Sequence, residues 1–271
     1  MFSVLPGNRQ DGCLSPKGGS FMRRINSRKP SGLTAAGLRN WGMIFTAIGI
    51  IGRSIIGYQL VPMYEGTSYE LLCLTIAVIL MALGTIAAPI FTFLIVEGVS
   101  HTSSFRNYFL RVAGLALLCE VPYDLAMSGK FFNFDDNNPV FSLVICFVML
   151  FTYRYYTGRS IKNTFIKFAV TAASVFWSLA LNLEAGLCCV LVCSTLWGLR
   201  KKPMIRNLVG CAVATFSTIG KSFNLHYLFS PMGFFFINSY NGEKGEGNRI
   251  VAYFAYPALL CIAIAARYFL F

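Results

Sequence analysis

Residues 87–124 read AAPIFTFLIVEGVSHTSSFRNYFLRVAGLALLCEVPYD, and within them Glu97, His101, Glu120 and Asp124 interrupt two long apolar runs. A carboxylate at the centre of a bilayer costs roughly 2.5–3.5 kcal/mol even on insertion-based scales, so such groups face a partner, a cavity or a site. Only 13% of the chain is charged and 56% is hydrophobic. A soluble domain of this length carries about twice that charge. Several apolar runs approach the ~20 residues an α-helix needs to cross hydrocarbon. The reading is an all-α, polytopic transmembrane helical bundle of about 8–9 spans. Strict alternation is missing, which argues against a β-barrel.

Working outward, the expected spans are 39–61, 70–100, 105–127, 139–156, 163–181, 185–199, 206–222 and 250–270. Residues 225–240, with Ser230-Pro231 inside, are expected as a short span or a re-entrant piece. The run 70–100 is too long for one straight crossing, and Gly84 and Pro89 offer a kink. Residues 1–32 lack an apolar core and are read as a basic, flexible cytoplasmic tail; 33–271 form the membrane domain.

The net charge of +12 does not point to nucleic acid, because the Lys and Arg sit between apolar runs. Arg154, Arg159, Lys162 and Lys167 form one such cluster, and Arg200, Lys201, Lys202 and Arg206 another. That pattern sets orientation and anchors the chain at anionic lipid, with the N-terminus in the cytoplasm. The nine Cys residues show no zinc or redox spacing and read as packing residues, so no metal is expected.

Glu97 and His101 share a helical face near the cytoplasmic end of their helix. His101 has the right ordinary pKa to take a proton near neutrality, with Glu97 as its orienting partner. Arg106 lies at the same boundary and Arg111 marks the cytoplasmic end of its helix, so either is placed to meet a soluble anionic donor. Glu120 and Asp124 share a face roughly 14–20 Å deeper. Arg53, at about the same depth, is expected to pair with Glu120 or Asp124, and all three are candidate substrate-binding residues. His226 is read as an interface residue.

The stretch Ala88-Pro89-Ile90-Phe91-Thr92-Phe93-Leu94-Ile95-Val96-Glu97-Gly98, followed by His101-Thr102, Tyr108-Phe109-Leu110-Arg111 and Glu120-Val121-Pro122-Tyr123-Asp124-Leu125-Ala126, resembles the TraX family of bacterial membrane proteins. Asn241-Gly242 and Tyr256-Pro257 also resemble family features. The resemblance implies a multi-pass protein of the bacterial plasma membrane and an acetyltransferase activity connected with conjugation. Acetyl-CoA would be the donor, and an amine or hydroxyl of a peptide or surface polymer the acceptor. The chain departs from the family pattern at Thr46, Ala47, Thr85 and Ala258, where polar positions have become small or neutral. That departure leaves a non-catalytic assembly factor or small transporter as the competing expectation.

Overall fold

The computed structural model describes residues 31–158, 160–217 and 225–270. Most of the expected tail, residues 1–30, lies outside the described residues. The rest is helical, with two isolated bridges and no strand among the described residues.

Helix α1 runs over Ala35–Met63. Thr34 starts it, its hydroxyl accepting the Gly37 N–H at 3.2 Å. Its middle, Ile51–Leu60, is wound as a π-helix that carries Arg53. The long apolar run divides into α2 (Glu70–Gly84) and α3 (Ala87–His101), so the break falls between the expected Gly84 and Pro89. Then follow α4 (Phe105–Ser128), α5 (Pro139–Tyr155), α6 (Ile161–Ala180), α7 (Gly186–Gly198) and α8 (Pro203–Phe216). A 3₁₀ segment, Leu225–Met232, leads into the short α9 (Gly233–Asn238), and α10 (Arg249–Leu270) closes the chain.

Burial is distributed as lipid demands. On α2 only Ala77 and Ala82 are buried, whereas Leu71 is 73% exposed. On α6, Phe165, Phe168, Phe176 and Trp177 all point outward. Apolar area on this scale is a membrane-facing surface. Conversely, α7 buries Cys188, Cys189, Val190, Val192, Cys193 and Leu196 at the centre of the main core. A helix apolar all round belongs there. By length and composition Ala35–Met63 and Glu70–His101 can each cross a membrane; four further apolar helices are shorter.

The bundle has two chemically different ends. At one, Leu33 N–H donates to the Ser239 carbonyl and Asn241 N–H to the Leu33 carbonyl, while Arg154 donates to the Val99 carbonyl at the C-terminal end of α3. Arg106, Arg200, Lys201, Lys202 and Lys244 belong to segments at this basic end. At the other, Asn137 and Asn182 join the α4–α5 and α6–α7 turns, and Glu65, Asp135, Asp136 and Glu184 lie on its turns. The segment 225–238 runs antiparallel to α8: Ser230 meets Ala214, Pro231 meets Cys211, and Asn238 meets Asn207. It therefore returns to the basic end, which accounts for the position of Lys244.

Where α1 crosses α2 the backbones nearly touch. A Cβ on Gly84 would lie 2.6 Å from the Gly49 Cα. Because the obstacle is backbone, Gly84→Ala should destabilise the protein by about 1–3 kcal/mol. Thermal unfolding in one detergent checks this, and an unchanged midpoint would show that the two helices can separate freely.

Candidate functional site

A cavity of about 1180 Å³ penetrates the bundle. One face of α1 lines it at Arg39, Met43, Thr46, Ile50 and Arg53, the i, i+3, i+4 spacing of a single helical stripe. Arg39 and Arg53 are fourteen positions apart, so the cavity extends for roughly 20 Å along this helix.

The mouth lies at the basic end. Arg39, Arg111 and Lys244 line it, together with Glu97 and His101. Arg106, singled out alongside Arg111, is exposed and does not line the cavity. His101 Nδ1 stands 3.0 Å from the Glu97 carbonyl oxygen and 3.6 Å from its carboxylate, with the side chain 74% exposed. Donation from Nδ1–H leaves the lone pair on Nε2. The Tyr240 hydroxyl donates to the Glu97 carboxylate at 3.3 Å. Burial, then the neighbouring Glu97 charge, push this phenol up to about 12. It therefore remains a donor at neutral pH.

At the floor Arg53 does not pair with Glu120 or Asp124. Its guanidinium pairs instead with Asp136 and, at 3.2 Å, with Glu184; it also donates to the Tyr123 hydroxyl at 3.2 Å. Tyr123 in turn donates to Glu184 at 2.5 Å. The reason is rotational. On α4 the cavity-facing stripe includes Tyr123 and Met127, whereas Glu120 and Asp124 occupy the neighbouring face. Depth was matched, but direction was not. Asp124 is 2% exposed and accepts the Asn133 N–H at 2.9 Å, so it ties α4 to the following loop. Glu120 Oε2 is buried without a hydrogen-bond partner among the described residues.

The turns that carry Asp136 and Glu184 hold each other. Asn137 N–H donates to the Asn182 carbonyl and Glu184 N–H to the Asn137 carbonyl, both at 3.0 Å. The Ser142 hydroxyl also donates to the Glu184 carbonyl at 2.9 Å. Asn182 and Ala185 adopt φ of 49° and 57°. A left-handed alanine costs roughly 1–2 kcal/mol, strain borne by the turn that aims Glu184.

Nothing in the sequence pattern singles out Asp136 or Tyr240 as a site residue, and Glu184 barely stands out. Its one signal is that it is the lone acid between Asp136 and Glu243. His226 also lines the cavity; its carbonyl accepts the Thr85 hydroxyl at 3.0 Å, at the break between α2 and α3. No His, Cys, Asp and Glu group with the geometry to hold a metal ion occurs among the described residues.

A family model described as TraX protein matches residues 60–266, a span that includes Glu97, His101, Tyr123, Asp136, Glu184 and His226 but not Arg39 or Arg53. No curated protein and no solved structure gives a match. With most of its length covered, this chain belongs to the TraX family.

Proposed function

We propose that the protein is a membrane-bound acetyltransferase of the bacterial plasma membrane, with its basic end in the cytoplasm. One observation carries this reading: a single cavity joins a cationic rim at Arg39, Arg111 and Lys244 to a polar floor at Arg53, Glu184 and Tyr123. The excess of Lys and Arg at the rim end supports the orientation.

Acetyl-CoA enters from the cytoplasm and rests its phosphates on the rim, where charge-assisted hydrogen bonds favour anions. The acceptor is an amine of a peptide, or a hydroxyl or amine of a surface polymer. With an amine, the nitrogen attacks the thioester carbonyl carbon, the C–N bond forms and the C–S bond breaks. An acceptor arriving as ammonium loses two protons overall; CoA thiolate regains one and bulk solvent receives the other. His101, exposed and held through Nδ1 by Glu97, takes the proton destined for solvent. Enclosure then keeps water from competing for the thioester.

The test is transfer of label from acetyl-CoA to membrane extract by the purified protein. Arg39→Glu combined with Lys244→Glu should raise the KM for acetyl-CoA about 10- to 100-fold, since a hydrogen bond to a charged group is worth roughly 1.5–3 kcal/mol. The loss should be mimicked by high salt. No transfer by the unaltered protein would defeat this reading and leave transport or assembly.

A further inference from the structure

Resting on the acetyltransferase reading, we infer that His226 is the base of the transfer step, acting at the cavity floor and not at the mouth. The argument begins with the donor's shape. In acetyl-CoA the phosphates and the reacting thioester sit at opposite ends of a long pantetheine arm. If the phosphates rest on Arg39 and Lys244, an extended arm carries the thioester down the cavity, past Thr46, towards Arg53. The rim-to-floor distance is roughly 20 Å, a length that an extended arm can follow. His101 at the rim is then too far from the carbonyl carbon to act on the attacking nitrogen.

Among the described residues His226 is the histidine at the floor. It lines the cavity, and its Nδ1 is buried without a hydrogen-bond partner among the described residues. Its backbone is fixed from the α2–α3 break by the Thr85 hydroxyl. Glu184 and Arg53 line the same cavity. Nδ1 is sealed from the cavity, so Nε2 is the ring nitrogen left to meet the acceptor. A neutral imidazole at this position removes the N–H proton of the acceptor as its lone pair attacks the thioester carbon. Glu184 stabilises the imidazolium so formed, while Tyr123 and Arg53 hold that carboxylate in place. When the C–S bond breaks, the imidazolium returns the proton to the CoA thiolate, so His226 ends the cycle neutral. His101 handles only the second proton, the one exchanged with solvent.

The two histidines therefore predict different kinetic signatures. With purified full-length protein, acetyl-CoA and an N-terminally unblocked peptide in membrane extract, His226→Ala and His226→Asn should each lower kcat about 100-fold or more. Both should keep the KM for acetyl-CoA within threefold and should still retain labelled acetyl-CoA on the protein, which separates lost chemistry from lost folding. His101→Gln should instead lower kcat by clearly less than the roughly 100-fold expected for loss of the base, because it slows only proton exchange with solvent. Retention of kcat within threefold in both His226 variants, beside active unaltered protein, would overturn the inference while sparing the acetyltransferase reading. A hundredfold loss of kcat in His101→Gln at every pH would do the same, by placing the reaction at the rim. Inactivity of the unaltered protein removes both.

Discussion

Arg53→Met should lower the stability of the bundle by about 3 kcal/mol, the low end of the cost of breaking a buried ion pair. The lower figure applies because the cluster is not sealed: the side chains of Arg53, Asp136 and Glu184 are 25%, 27% and 35% exposed, the last two on the cavity side of the turns. Removing the guanidinium leaves Glu184 and Asp136 without this cation while Tyr123, 1% exposed, loses one of its two partners. Methionine fills comparable volume, so little of the effect comes from an empty space. For a chain of this size the thermal midpoint should fall by roughly 6–12 °C. Adding Glu184→Gln and Asp136→Asn to Arg53→Met should restore more than half of that loss, since the two carboxylate charges that lose the guanidinium are its source. A midpoint within 2 °C of normal for Arg53→Met alone, on the scale set by that same relation, would mean that the cluster contributes little to holding the turns together.

The same cluster marks the boundary of what was legible in the chain. Helices emerged where apolar runs of suitable length stood between basic or Gly-rich breaks, because those features act within one helix. The break between α2 and α3 followed from a run too long to cross straight, with Gly84 and Pro89 inside it. Glu97 and His101 met as expected, since four positions on a helix bring side chains together whatever surrounds them. Arg53 had the right depth and the wrong partners. Depth follows from counting residues, but the direction in which a side chain points depends on how α1 and α4 are rotated in the bundle. The true partners come from two turns that clamp each other, one strained at Asn182 and Ala185, and no local pattern encodes that clamp. Tyr240 reaches Glu97 from 143 positions away, a contact that only the return of residues 225–238 to the basic end creates. The sequence suggests only an interface role for His226 for a similar reason: its cavity position depends on the same returning segment.

Thr46→Trp should abolish transfer while leaving the fold intact, lowering acetyl-CoA turnover by about 100-fold or more, the scale of effect seen when reacting groups are held out of position. Thr46 lies seven residues from both Arg39 and Arg53, at the midpoint of the cavity and roughly 10 Å from either end. Among the described residues its hydroxyl donates to the Gly42 carbonyl of its own helix, so its removal breaks no hydrogen bond between helices. An indole at this point enters open volume instead of a packed core, and the usual cost of overpacking does not arise. Phosphate binding at the rim should survive, because Arg39, Arg111 and Lys244 are untouched; what fails is passage of the arm to the floor. Thr46→Ser, which keeps the hydroxyl and adds no bulk, should behave as the unaltered protein. Undiminished turnover in Thr46→Trp would show that the donor does not traverse this cavity. The joining of rim and floor would then be a packing defect between α1, α3 and α4 with no part in catalysis.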